Sequence, residues 1–350
     1  MFYELAEKAQ ALERSGRKIV RLNVGDTNIP VPKCATEAAV KCLNKGIMGY
    51  LPSAGMMELR QAIALRENCE VENVVVGPGS KHLIYALLSV LAKKGNKVVF
   101  PSPYWPAYPL ACKQLGLKAR EIPTTLPENW QLGKNFEEGD LTIICNPLNP
   151  TSTIYGRKSV EAIINDANAK GGHIIIDEAY RGLAFSEIPP YEGAIRVRSF
   201  SKEFCMENWR LGYMVAPEKI IRKVVQFNHI TTTCVPPFVQ QAGIACIENE
   251  REILAENIRI WKKRLSCAQK ALQINGFRFA TPQAGIYVFA THDGIADSGK
   301  YAMSLLEKGV AVSPGESFGN YPKFVRICSN REASELEMAI DKMGQEAAMP

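Results

Sequence analysis

The chain contains no C-x-x-C pair and no H-x-x-x-H pair, although it has ten cysteines and four histidines. A zinc site of ordinary ligand spacing is therefore not expected, and no metal is assigned. Long apolar runs are missing too. The longest, such as Tyr85 to Ala92, are far too short to span a bilayer. The N-terminal stretch MFYELAEKAQALERSGRK reads as a polar helix rather than a charged cap before an apolar run, so no secretory signal is expected. There is no concentrated charge of one sign. The 42 basic and 36 acidic residues are spread along the chain, and the resulting +6 argues for neither a nucleic-acid nor a membrane partner. Internal repeats, low-complexity segments and Gly/Ser-rich linkers are also absent.

What is present suits a globular enzyme. Across 350 residues, 46% are hydrophobic and 22% charged, enough apolar side chain for one large domain or two. A core of that size needs no staples, so the cysteines read as reduced, mostly buried thiols in a cytosolic protein. Short apolar runs at 74–77, 97–101, 141–146, 173–177, 195–200 and 210–217 read as strands. They are continuous and β-branched rather than alternating, as in a sheet buried on both faces. Helical patterns lie between them at 80–92, 107–116 and 158–170, with Gly95, Gly116 and Gly171 at their ends. This repetition predicts an α/β fold with a mostly parallel sheet. After Pro217 the texture changes: residues 218–273 are largely helical with a break at 231–237. Short strands and turns follow at 277–290, 309–319 and 323–329, and a last helix from Glu332. The expected division is a large domain over 31–250 and a smaller α+β domain from 1–30 with 251–350.

Ligands of open α/β sheets sit at the carboxyl ends of the strands, so the residues following each strand are the candidates. Gly79, Ser80 and Lys81 open a helix and offer free backbone N–H groups to a phosphate; taken alone, a plain helix cap is the favoured explanation. SPYWPAYP at 102–109 is a rigid aromatic turn. Its Trp105 could stack on a flat ring or plug two layers together. In NPLNPTS, Asn149 could aim its amide at a ligand or sit in an ordinary turn, with a cis bond to Pro150 cheap at such a position. Asp177 ends a buried strand, where a carboxylate needs a partner; a protonated ring nitrogen is one, a helix cap another. Tyr180 could reach the same place. Lys202 is expected in a loop between two apolar strands. There a lowered pKa would let it form a Schiff base, and a solvated surface lysine is the plain alternative.

Taken in order, these segments resemble the class I/II aminotransferases, pyridoxal-phosphate (PLP) enzymes of fold type I in the aspartate aminotransferase superfamily. SFSKEFCMENWRLGY at 199–213 and DEAY at 177–180 carry the resemblance most specifically. It runs from LNVGDTNIPVP near residue 22 to FVRICSN near 324. The resemblance implies that Lys202 forms the Schiff base with PLP, and that Asp177 pairs with the pyridinium nitrogen. It implies that Tyr180 and Asn149 hydrogen-bond the ring's phenolic oxygen and that Trp105 stacks on the ring. Ser80, Lys81, Ser199 and Arg210 would hold the phosphate. Tyr50 would reach the phosphate of a neighbouring subunit's cofactor, which implies a homodimer. Arg326 would grip the substrate α-carboxylate, with Gly25 in the loop beside it.

The implied function is transfer of an amino group from an α-amino acid to a 2-oxo acid in two ping-pong half-reactions, in the cytoplasm. The same residues also serve carbon–sulfur β-lyases, synthases and amino-acid cyclases, and the product distinguishes them. A non-catalytic regulator on this scaffold would carry a helix-turn-helix module, and none is legible before the first helix. Acidic substrates would need a second cation, for which Lys81 and Arg181 are candidates. The sequence departs from the pattern at Asn208 and Ser152, where glycine is usual, and its N-terminal arm is short. Cys205, three residues beyond Lys202, is expected to pack.

Overall fold

The computed structural model describes residues 2–46, 48–133, 136 and 139–349. Met1, where the N-terminal helical pattern starts, lies outside them. From the N-terminus come helix α1 (Phe2–Arg14), strand β1 (Val20–Arg21) and helices α2 (Lys33–Leu43) and α3 (Met57–Glu67). The alternating part follows as β2 (Val74–Gly77), α4 (Ser80–Leu91), β3 (Lys97–Ser102), α5 (Ala107–Leu115), β4 (Lys118–Pro123), β5 (Leu141–Cys145), α6 (Arg157–Ala169), β6 (His173–Asp177), β7 (Ile195–Ser199), α7 (Phe200–Glu203) and β8 (Gly212–Val215). The C-terminal part runs α8 (Glu218–Thr231), α9 (Pro237–Glu248), α10 (Glu250–Ile274), β9 (Arg278–Phe279), β10 (Tyr287–Thr291), α11 (Ser298–Glu307), β11 (Val310–Ala311), β12 (Ser313–Pro314), β13 (Phe324–Cys328) and α12 (Ala333–Ala347).

Seven strands form the central sheet in the order β2-β8-β7-β6-β5-β3-β4. All neighbours run parallel except β8, which is antiparallel to both β2 and β7. Helices cover it, and its β-branched strands bury their side chains on both faces: Val98, Ile143 and Ile175 are fully covered, as are Leu83 and Leu87 of α4. Each such side chain removed from water contributes about 1.5–3 kcal/mol. A four-stranded antiparallel sheet, β12-β13-β10-β9, and the parallel pair β1-β11 complete the fold. Their core is separate in composition, with Leu5, Leu265, Val288, Ile327 and Leu336 packed together.

The expected α/β architecture is present, with local corrections. The run at 210–217 is a strand only over Gly212–Val215, because Arg210 adopts a left-handed φ of 54°. Lys202 lies on the short helix α7 rather than in a loop. Strand β4 is an exposed edge whose sequence KAREIP is too polar to read as part of a buried sheet. The cis peptide bonds are Ser102–Pro103 and Asn146–Pro147, not Asn149–Pro150.

Sheet order decides what can meet. Cys145 pairs with Asp177, Asp177 with Val197, and Ser199 with Gly212, which also pairs with Gly77. The carboxyl ends of β5, β6, β7 and β2 therefore share one rim with the amino end of antiparallel β8.

Candidate active site

A cavity of about 450 Å³ opens along that rim, and eleven of the twelve residues given a site role by the resemblance line it. The exception is Tyr50, which is 92% exposed on the surface and does not line this chain's cavity. Arg181 does not line it either. Its guanidinium is committed to Glu178 and Glu67, at 3.2 and 3.4 Å, while Lys81 does face the cavity.

Asp177 is buried at the end of β6. Its Oδ2 accepts the Tyr108 hydroxyl at 2.7 Å and its Oδ1 the Ala179 N–H at 3.1 Å. Burial pushes the carboxyl up to about 6, and the two donors restrain the rise. Neither donor carries charge, so the carboxylate suits a cation placed in the cavity.

Lys202 projects from α7 and is mostly covered. Its Nζ donates to Gly25 O at 2.5 Å and stands 4.0 Å from Glu207 Oε1. Burial lowers its pKa, and Glu207 opposes that. Glycine at 25 lets the loop approach Tyr287 closely, since a Cβ would fall 2.0 Å from the Tyr287 hydroxyl oxygen and force a shift.

Arg326, on β13, is 2% exposed and lies between two aromatic faces, 4.1 Å from the Tyr287 centroid and 4.8 Å from that of Phe318. Its Nη1 donates to Asn149 Oδ1 at 3.1 Å, and its Nη2 to Asn23 O at 2.8 Å. Asn149 thus ties the four-stranded sheet to the central one. The Tyr180 hydroxyl donates to that of Tyr287 at 3.1 Å. Trp105 stands edge-on to Tyr108, with Lys81 Nζ 5.2 Å from its ring centroid.

At the other end of the cavity, Gly79 caps α4 and leaves the N–H groups of its first turn open. Ser199 accepts the Ser201 N–H as the cap of α7. Arg210 donates to Glu207 O at 2.7 Å and to Pro78 O at 3.3 Å. These segments crowd together: a Cβ on Gly212 would lie 2.8 Å from Ser80 N, and one on Gly79 2.5 Å from Arg210 Nη2.

Several residues that line the cavity or support its lining were not legible in advance. Tyr108 follows Trp105 in the aromatic turn, which offered a hint. Glu207 and Ser201 lie inside the lysine motif without standing out from it. Nothing in AGIYVF marks Tyr287. Ser152, one of the two departures, has a left-handed φ of 58° and is buried. Its Oγ accepts the Tyr287 N–H at 3.1 Å, so the hydroxyl has a use that glycine could not supply. Asn208 is exposed, and Cys205 is buried with its thiol pushed up to about 11 by burial. Among the described residues, no group of three or more His, Cys, Asp or Glu is arranged to hold a metal, and no helix is long and apolar enough to cross a membrane.

The family model for aminotransferases of class I and II matches residues 17–343. The chain belongs to this family. It is a PLP-dependent aminotransferase of fold type I, moving amino groups between amino acids and 2-oxo acids. It is 36% identical over 335 residues to an aspartate aminotransferase of Thermococcus kodakarensis, covering 94% of this chain and 89% of that protein. It is 29% identical over 369 residues to aromatic-amino-acid aminotransferase 2 of Thermococcus litoralis, covering 97% of this chain and 92% of that one. Among solved structures it resembles aspartate aminotransferase from Thermus thermophilus with maleate. The TM-score is 0.94 at 26% identity, over 99% of this chain and 96% of that one.

Proposed function

We propose that this aminotransferase takes an acidic donor of the aspartate type, with Arg326 binding the α-carboxylate and Lys81 the distal one. The observation that carries the reading is that Arg326 and Lys81, cations of different kinds, line the same cavity as Lys202 and Arg210. Arg326 is buried, clamped by two rings and lines the cavity, where its planar fork would make a bidentate pair with a carboxylate. Lys81 is exposed and lines the same cavity, with no carboxylate partner among the described residues. Relatives named aspartate aminotransferase support the same choice.

The remaining residues fit the cofactor. The crowding of Gly79, Ser80, Gly212 and Arg210 makes a cradle for a phosphate from the Ser80 and Lys81 amides, the Ser199 hydroxyl and the Arg210 guanidinium. Bound PLP supplies the electron sink for the reaction. Asp177, as an anion, would keep a proton on the ring nitrogen. Tyr180 and Asn149 would bind the phenolic oxygen, and Trp105 would cover one face of the ring. Lys202 Nζ, mostly withdrawn from water, would take the Cα proton and return it at the cofactor carbon. Gly25 leaves room for the substrate carboxylate beside Arg326.

The reading extends to a cytoplasmic homodimer in which Tyr50 of each copy reaches the other's phosphate cradle. The high exposure of Tyr50 supports this. A distinct core drawn from residues 5–22 and 265–347 supports a small domain from 1–30 and 251–350 beside a large one over 31–250.

The test is a panel of amino donors with 2-oxoglutarate as acceptor. Aspartate should give a higher kcat/KM than alanine or phenylalanine. A clear preference for either of those two overturns the acidic reading.

A further inference from the structure

Glu207 lies on the single turn Glu207–Trp209, five residues beyond Lys202, and its side chain is 20% exposed. Its Oε1 is 4.0 Å from Lys202 Nζ and also accepts the Thr27 N–H at 2.5 Å. Thr27 is 1% exposed, so this N–H would be costly to leave without a partner. Lys202 reaches the same loop through Gly25 O. From the opposite side, Arg264 of α10 donates to Thr27 O at 3.0 Å and Asn28 O at 3.3 Å, and Asn28 Nδ2 donates to Asn330 O at 3.0 Å. Loop 25–28 is thus held on one flank by the C-terminal part of the chain and on the other by the lysine segment.

We infer that Glu207 is a positioning residue of the transfer reaction, giving the Lys202 ammonium its countercharge and pinning loop 25–28 beside the substrate carboxylate site. The inference rests on Lys202 being the reacting amine. A lysine that takes a proton from Cα must also hold it long enough to return it. Burial favours the neutral amine and Arg326 adds repulsion, while Glu207 and Asp26 favour the ammonium; the Cys328 and Cys205 thiols complete the groups facing it. Glu207 is the carboxylate in ion-pair contact with Nζ, so it sets the balance between base and acid.

The two roles separate by substitution. Glu207→Gln keeps an oxygen for the Thr27 N–H and removes the charge; Glu207→Ala removes both. Three quantities are read in each variant: the pH midpoint for reaction of cofactor-free enzyme with PLP, the pH titration of the holoenzyme's visible absorbance, and kcat and KM for aspartate. The Gln variant should lower the lysine midpoint by about one pH unit or more. The Ala variant should do the same and raise the aspartate KM about tenfold. A midpoint that stays or rises in the Gln variant overturns the charge role, and an unchanged KM in a folded Ala variant overturns the pinning role. Lys202→Ala, measured alongside, should lose the visible band. Retention of the band removes the reading of Lys202 itself, independently of Glu207.

Discussion

The Tyr108 hydroxyl donates to Asp177 Oδ2 at 2.7 Å, and this contact keeps a fully buried carboxyl from rising further than about 6. The sign follows from burial. A carboxyl raised in the folded state contributes stability that is present below its unfolded pKa and lost as pH rises through about 6. The cofactor-free protein should therefore weaken across that window. Binding of PLP, which needs the anion opposite the ring nitrogen, should strengthen across it. Tyr108→Phe removes the donor, so the midpoint of the affinity-against-pH curve should move upward. A fluorescence titration of PLP binding between pH 5 and pH 8 measures it.

Arg326→Lys replaces a planar fork with a point charge and breaks the sandwich between Tyr287 and Phe318. Charged hydrogen bonds are each worth about 1.5–3 kcal/mol, so kcat/KM for every donor should fall about 10- to 100-fold. The loss should appear mainly in KM. Steady-state kinetics with aspartate and alanine, both bearing the same α-carboxylate, should show equal losses.

Lys81→Met gives the opposite pattern. It keeps the length of the side chain and removes the charge near Trp105. Activity toward aspartate should fall by about two- to fivefold while alanine and phenylalanine change little. A competition assay with mixed donors reads the ratio directly.

Behind the cavity, Glu67 accepts from Arg198 at 2.8 Å, Arg196 at 2.5 Å and Tyr213 at 2.6 Å, and its side chain is 2% exposed. Despite burial, which alone would raise it, the surrounding guanidinium groups hold its pKa well below the usual carboxylate range. Its stabilisation is therefore present above the ordinary carboxylate pKa and lost only in strong acid. Glu67→Ala would leave buried Arg196 without its carboxylate, while Arg198 keeps Glu203 and Arg181 keeps Glu178, at a cost of about 3–5 kcal/mol. Urea denaturation at pH 7 should show the fall.

Strand ends were legible where chemistry and periodicity coincide. The β-branched run before Asp177 placed that residue at a buried strand end, whereas Lys202 stood out only through the motif around it and lies on α7 beyond the strand. Edge strand β4 was not legible, since only one flank is paired and its side chains are charged. Nor was Tyr287, whose role comes from β10 pairing with β13 and bringing its ring under Arg326. Ser152 shows the same limit. Its left-handed backbone looks like a glycine position, and only the fold reveals the hydroxyl's bond to Tyr287. The network around Glu67 joins α3, β7 and β8, which no local pattern connects.

The central claim, amino transfer through Lys202, is tested most directly in a single turnover without acceptor. Aspartate added to PLP-loaded enzyme should release one equivalent of 2-oxo acid and no ammonia, and leave the cofactor holding the amino group. Lys202→Ala should not complete this step. Release of free ammonia in step with the oxo acid, or full turnover by Lys202→Ala, would contradict the account.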